Sequence, residues 1–254
     1  MKFCPTVFLL TLWTSAAFAE DVNITAQNRV EWHQKSQKVI AIGDAIATKG
    51  KMDIKADKLI GHYKERAKNA KGKISRVEAI GNVKMHSPKA DAFGNNLDYN
   101  LDKEIAILTG EPAKIKTETE TITAKESITY YPTEQKAIAK GNVEATDTDN
   151  NKIFSDKMVA YFEKSKDNKE NLILNKVDIF GNIKIVTPDA TVTADKGAYL
   201  PRIGLIKLFT NVVINQQGNI LRGDQAETNL KTGISKLISG SKTGRVKGVF
   251  KEKK

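Results

Sequence analysis

Ala124–Glu144 reads AKESITYYPTEQKAIAKGNVE, and its pattern decides the class of fold. Ala124-Lys125 open an outgoing strand, and Tyr131-Pro132-Thr133-Glu134 form a turn. Ala137, Ala139, Gly141, Val143 and Ala145 then recur at every second position of a return strand. Alternation with period two places such residues on one strand face. From Ala124 to Gly141 is 17 residues, and the same spacing separates Ala26 from Gly43, Ala194 from Asn211 and Gly223 from Gly240. Gly94 to Gly110 is 16, Ala56 to Gly81 is 25, and Ser155 to Gly181 is 26. A hairpin unit is therefore present seven times, twice with an insertion. One hairpin is marginal in water, whereas a stack of hairpins buries a continuous apolar face.

Outward from this stretch the chain repeats the same reading. Strands are expected at Val22–Ala26, Val39–Ala47, Met52–Ile60 and Val77–Met85. A third hairpin spans about Asp91 to Ile115, its period weakened by Asn95-Asn96 and Pro112. Ile153–Phe162 with Val177–Ile185, Thr191–Tyr199 with Leu205–Ile214, and Ile220–Asn229 with Ile234–Ile238 make the last three. The tips Lys64–Lys73 and Glu163–Asn171 are charged and expected to be mobile. No segment shows a sustained helical period, so the class is all-β with antiparallel neighbours. The recurrent glycine predicts that every return strand bends at one place. The stack would then form an open trough. An unpaired edge at each end would be able to pair with another chain.

The chain has 254 residues and a formal charge of +11. Lys2 is the only charge in residues 1–19, so the remainder carries 11 − 1 = +10. That balance suits an anionic partner. Met1-Lys2, the apolar run Val7–Trp13 and Ala17-Phe18-Ala19 have the order of a secretory signal peptide, expected to be cleaved before Glu20. The resulting division is signal peptide 1–19, β domain 20–240 and basic tail 241–254. The expected mature chain has no cysteine, since Cys4 precedes the cut.

Chemistry-bearing constellations are weak. His33, His62 and His86 lack ligand spacing, so neither a metal site nor a cofactor is expected. Asp57, Asp156, Asp195 and Asp224 occur once per repeat, but Gln27, Asn95 and Lys125 break the column. They read as solvated strand-start side chains rather than as catalytic or calcium-binding acids, and no catalytic residue is assigned. Lysines do not alternate with aromatics, which argues against nucleic acid. What remains is an aliphatic stripe. Ala45, Val83, Pro112, Val143, Ile183 and Val213 stand two residues after the glycine column; Ala41, Ala79, Leu108, Ala139, Ile179, Phe209 and Ile238 stand two before it. Alanine in the second set is expected to leave room for something other than side chains.

The repeated A-D-x-x-x-x-Y and A-x-x-G-N-V units resemble the LptA/OstA family of lipopolysaccharide transport proteins. They stand at Ala56–Tyr63 with Ala79–Val83, Ala124–Tyr130 with Ala139–Val143, Ser155–Tyr161 with Phe180–Ile183, and Ala194–Tyr199. Gly223–Gly240 and Gly244–Phe250 add to the likeness. The resemblance implies an open, twisted antiparallel β-jellyroll with no enzymatic activity. It would be a periplasmic bridge carrying lipopolysaccharide, with lipid A chains in the trough. Partners implied are an inner-membrane LptC-like protein, an outer-membrane LptD-like protein and further copies stacked head to tail. Expected trough-lining residues are Ile24, Ile54, Met85, Leu108, Tyr130, Val143, Ile183 and Val213; expected edge contacts are Val22, Ile24, Ile234 and Ile238. Two other readings are a membrane-anchored LptC-like partner and a ligand-free scaffold polymerising edge to edge. A polysaccharide-cleaving solenoid would need clustered acids, which the chain does not supply.

Overall fold

The computed structural model describes residues 22–64, 73–165, 172–229, 232, 234–240 and 245–249. The predicted signal segment, the centres of both charged tips and most of the basic tail lie outside the described residues. The strands are β1 (Asn23–Thr25), β2 (Arg29–His33), β3 (Lys38–Lys49), β4 (Met52–Lys64), β5 (Lys73–Ser87) and β6 (Ala90–Asn100). Then come β7 (Ile105–Thr109), β8 (Ala113–Thr117), β9 (Glu120–Ala124), β10 (Ser127–Tyr131), β11 (Lys136–Asp147) and β12 (Lys152–Lys164). The last are β13 (Leu172–Val186), β14 (Ala190–Leu200), β15 (Leu205–Gln216), β16 (Asn219–Asn229), β17 (Ile234–Ile238) and β18 (Lys247–Val249). A short 3-10 turn, Pro201–Ile203, joins β14 to β15. Among the described residues no helix is long and apolar enough to cross a membrane.

Consecutive strands pair antiparallel into one ladder, as the hairpin repeat predicts. Four rungs are split into two short strands. β1 and β2 both pair with β3, and β17 and β18 both pair with β16. In the middle, β7 and β8 pair with β6, while β10 and β9 pair with β7 and β8 in turn and with β11. The chain is an open β-jellyroll whose long strands each pass through both layers. β18 lies beyond residue 240, so the expected tail contributes an edge strand.

The passage between layers is a corner built into each strand. In β11 the pairing with β12 shifts between Lys140 and Val143, so Gly141-Asn142 oppose Asp156 alone. The same bulge falls at Gly43-Asp44, Gly81-Asn82, Gly181-Asn182 and Thr210-Asn211, with both residues at positive φ. Inward-facing residues therefore step by four across the corner in return strands, as Ala79 to Val83 and Ile179 to Ile183, and by three in outgoing strands, as Ala56 to Leu59 and Ser155 to Met158. A bulge of this kind bends a strand and increases its twist.

The corner also explains the recurrent acids, which are not merely solvated. Asp57 accepts from Asn82 Nδ2 at 3.0 Å, Asp156 from Asn182 Nδ2 at 2.9 Å, and Asp195 from Asn211 Nδ2 at 2.7 Å. Asp224 accepts instead from the Gly240 amide at 2.7 Å. At Gly81 and Gly181 an added Cβ would stand 2.2 Å and 2.1 Å from the facing aspartate oxygen. Glycine is thus required there both for its backbone conformation and for space.

Two expectations about the glycine column are corrected. In β15 the place of glycine belongs to Thr210, not Asn211, so the buried residues are Leu208 and Val212 rather than Phe209 and Val213. Gly110 and Gly240 are not among the positive-φ residues. Gly110 instead lies against Gly94, and Ala113 rather than exposed Pro112 enters the core.

Aligning the corners exposes a longer period. Gly43 to Gly141 is 98 residues, Asp57 to Asp156 is 99, and Gly81 to Gly181, Tyr99 to Tyr199 and Leu108 to Leu208 are each 100. β1–β8 and β9–β15 are two copies of one six-rung repeat, and β16–β18 begin a third.

Candidate functional site

The two layers meet on an apolar interior of Leu, Ile, Val, Met, Tyr and Ala side chains that continues from one repeat into the next. At the corner this interior is closely packed. Ala45, Ala79, Ala113 and Ala124 are fully buried, and Val143 and Ile183 are among the most enclosed large side chains. Ala41, Ala45 and Ala79 let the layers approach there, whereas Ala139, two before Gly141, borders open interior space. Val143 and Ile183, expected to line a trough, are corner core. Val213 lies on the outer face, between Thr193 and Arg222.

A wide, partly polar hollow of about 810 Å³ lies at the corner between Pro112, Asn142, Phe154 and Asn182, whereas the apolar interior opens away from the corner. A first cavity of about 40 Å³ is lined by Ile24, Ile54, Leu59, Gly61, Ile74 and Val77, with Val22, Lys49 and Met52 at its margin. A Cβ added at Gly61 would meet nothing within 4 Å. A second space, about 30 Å³, runs between Met85, Leu97, Leu108, Ile128 and Tyr130. A third, about 110 Å³, is lined by Ile122, Ala145, Ile153, Met158, Ala160, Leu174 and Val177. It shares Ile115, Ile128 and Ala137 with the second. Five of the eight expected lining residues, Ile24, Ile54, Met85, Leu108 and Tyr130, thus border this interior space.

The first and third spaces occupy equivalent places in the two repeats. Ile24 corresponds to Ile122, Ala47 to Ala145, Ile54 to Ile153, Gly61 to Ala160 and Val77 to Val177. A small residue on the outgoing strand opens each of them. The expected lining set includes Ile24 and Ile54 of the first space but no residue of the third, because their equivalence is a residue-by-residue likeness at a separation of 98–100.

Polar groups on the interior are few. Burial pushes the Tyr130 hydroxyl up to about 12, with Tyr99 adding to the shift. Glu120, on the wall of the third space, is pushed up to about 7 by burial first and by the neighbouring Asp147 second. Asp147 accepts from the Asn151 amide at 2.8 Å, from Asn151 Nδ2 at 2.8 Å and from the Asp149 amide at 3.0 Å. Among the described residues no group of His, Cys, Asp and Glu is arranged to hold a metal ion.

The ladder ends in one-sided rungs. Val22 and Ile24 are half-buried at the first edge, while Ile234 and Ile238 lie exposed on the outer face of β17 and Leu237 packs inward. Near the first edge the inward face also exposes Val30 and Trp32, whose indole donates to the Tyr63 hydroxyl at 2.7 Å.

Among solved structures the chain is similar to LptH, titled the LptA homologous periplasmic component of the conserved lipopolysaccharide transport device from Pseudomonas aeruginosa. The identity is 10%, the likeness covers 92% of this chain and 96% of that one, and the TM-score is 0.23. No curated protein matches. The family model described as LptA/(LptD N-terminal domain) LPS transport protein matches twice, over residues 23–136 and 127–234. The changeover falls at β10, beside the boundary between the structural repeats. With those two matches spanning nearly all the described residues, the chain belongs to the LptA/LptD N-terminal domain family of LPS transport proteins.

Proposed function

We propose that this chain carries lipopolysaccharide through the periplasm. Acyl chains would lie in the apolar interior, the sugar part would stay outside, and the ladder edges would join partner β-jellyrolls. The observation supporting this most directly is the series of apolar spaces between two edge rungs that, among the described residues, pair on one side only. Burial of each methylene is worth about 0.8 kcal/mol, so several chains would be held firmly without catalysis. The Met1–Ala19 segment supports export.

The partners are an inner-membrane LptC-like protein, an outer-membrane LptD-like protein and other copies stacked head to tail. The middle of the chain supplies a pattern for such joints. β9 and β10, which correspond to β1 and β2, pair with β8 and β7 through backbone hydrogen bonds. The β1–β2 edge would receive a partner strand in the same way, with Val22 and Ile24 beside it.

Photo-crosslinking in the envelope tests the carrier reading. Ile153 borders the third space, whereas Phe154 faces outward between Glu144 and Lys184. Both are large, so each accommodates a photoreactive side chain. The expected result is a lipopolysaccharide adduct from position 153 and none from 154. Adducts to protein alone, or none in a folded chain, would refute lipid carriage.

A further inference from the structure

The two repeat-equivalent cavities have the same apolar walls and different polar margins. Val22 of the first corresponds to Glu120 of the third space, Lys49 to Asp147 and Met52 to Asn151. One margin is basic and the other acidic. Asp147 and Glu120 sit on directly paired positions of β11 and β9.

Among the described residues Glu120 has no side-chain counter-ion facing it. From β11 it meets Asp147, and from β14 the cavity wall brings Tyr199. Its own hairpin adds exposed Glu118. The nearby cations point elsewhere: Lys152 on β12 pairs with Glu144 at 2.8 Å, and exposed Lys116 on β8 sits opposite Thr121. An anionic head would meet like charge here, whereas a protonated amine would meet its complement.

We propose that the third space is a selective station for amphiphiles whose chain ends in a protonated amine, and that Glu120 determines this selectivity. The proposal rests on the reading that the interior takes lipid chains. When Glu120 is ionised, its carboxylate and that of Asp147 attract the ammonium head while the chain occupies the groove beside Ala145, Ile153 and Ala160. When Glu120 is protonated, the attraction weakens and an anionic head is tolerated. Its raised pKa puts this change near neutral pH. The corresponding cavity of the first repeat, with valine at that position, makes no such distinction by protonation.

The test is titration calorimetry on the mature full-length chain with three probes below their micellar concentrations. They are dodecylammonium, dodecanesulfonate and a nonionic dodecyl oligoethylene glycol ether, each measured at about pH 6 and about pH 8. The expected result is a sulfonate component that weakens by about tenfold from the lower to the higher pH, following the protonated fraction of Glu120. The ammonium component strengthens over the same interval, and the nonionic probe binds equally at both. Butylammonium, which has the charge without the chain, does not bind.

Glu120→Gln and Glu120→Val, the latter installing the first repeat's residue, should both abolish the pH response while leaving nonionic binding intact. A pH response that survives both substitutions, equal binding of the two charged probes at the higher pH, or binding of butylammonium would overturn the proposal alone. Failure of the nonionic probe to bind would overturn it together with the lipid-carrier reading.

Discussion

At the level of single residues the corner is the most demanding place in the chain. Asp156, Gly181 and Asn182 hold one another: the carboxylate accepts a hydrogen bond from Asn182 Nδ2 and fills the space a side chain at 181 would need. Gly181→Ala adds left-handed strain, about 1–2 kcal/mol for an ordinary residue, to a clash with that carboxylate. Its urea midpoint should fall by the equivalent of about 2 kcal/mol or more. Thr210 is the converse case, a β-branched residue at φ 66° where four other corners have glycine. Thr210→Gly should raise stability by about 1 kcal/mol in the same assay, the relief of strain outweighing the added freedom of the unfolded chain. Glu120 makes a third test. Its folded pKa of about 7 lies above the ordinary glutamate value of 4.5, so the folded state holds an extra proton between those values. Stability therefore falls as pH rises through that window. Glu120→Gln should leave stability nearly unchanged near the acid end and raise it by about 2 kcal/mol above pH 8, after allowance for partial exposure.

At the level of elements, register decides which side chain a strand contributes to the interior. Val212 is buried and Val213 lies on the outer face, although either fits an aliphatic stripe. Val212→Asp should cost about 3–5 kcal/mol, since it places an unpaired charge in the core, while Val213→Asp should stay within about 1 kcal/mol. Equal losses in thermal melts would refute the register. The seven hairpins and the bending glycine were legible in the sequence because period two and a fixed spacing survive substitution. Val213 was misplaced because Thr210 does not announce a bulge: only glycine and asparagine signal positive φ by their identity. The acids were read as solvated because their partners are asparagines on the following strand, up to 26 residues away. Val143 fits a lining position by alternation alone, which cannot separate a packed corner from an open wall. The expected lining set reaches the first and second spaces through Ile24, Ile54, Met85, Leu108 and Tyr130, but not the third space or Glu120, because the insertions obscure the longer period that relates Val22 to Glu120.

For the whole molecule, duplication means that the same joint is made once inside the chain and offered again at its ends. The internal joint is narrow. β7 meets β10 through three paired positions and β8 meets β9 through four. β12 and β13, within a repeat, share eleven. In a stack where each rung contacts only its neighbours, opening follows the weakest interface. The outermost rungs have one neighbour, the middle joint has two but few backbone bonds, and the long hairpins have both neighbours and long ladders. Native-state hydrogen exchange should therefore release β1, β2, β17 and β18 first. The amides of Ala106–Leu108 and Ile128–Tyr130 should follow, and those of Met158–Ala160 and Val177–Ile179 should be last. Engagement of the outer edges by partner strands should slow the first group and leave the middle joint unchanged, because its neighbours are already in place. If the middle joint instead exchanges with the long hairpins in a single step, the two repeats behave as one cooperative unit and their junction is no weaker than the rungs on either side.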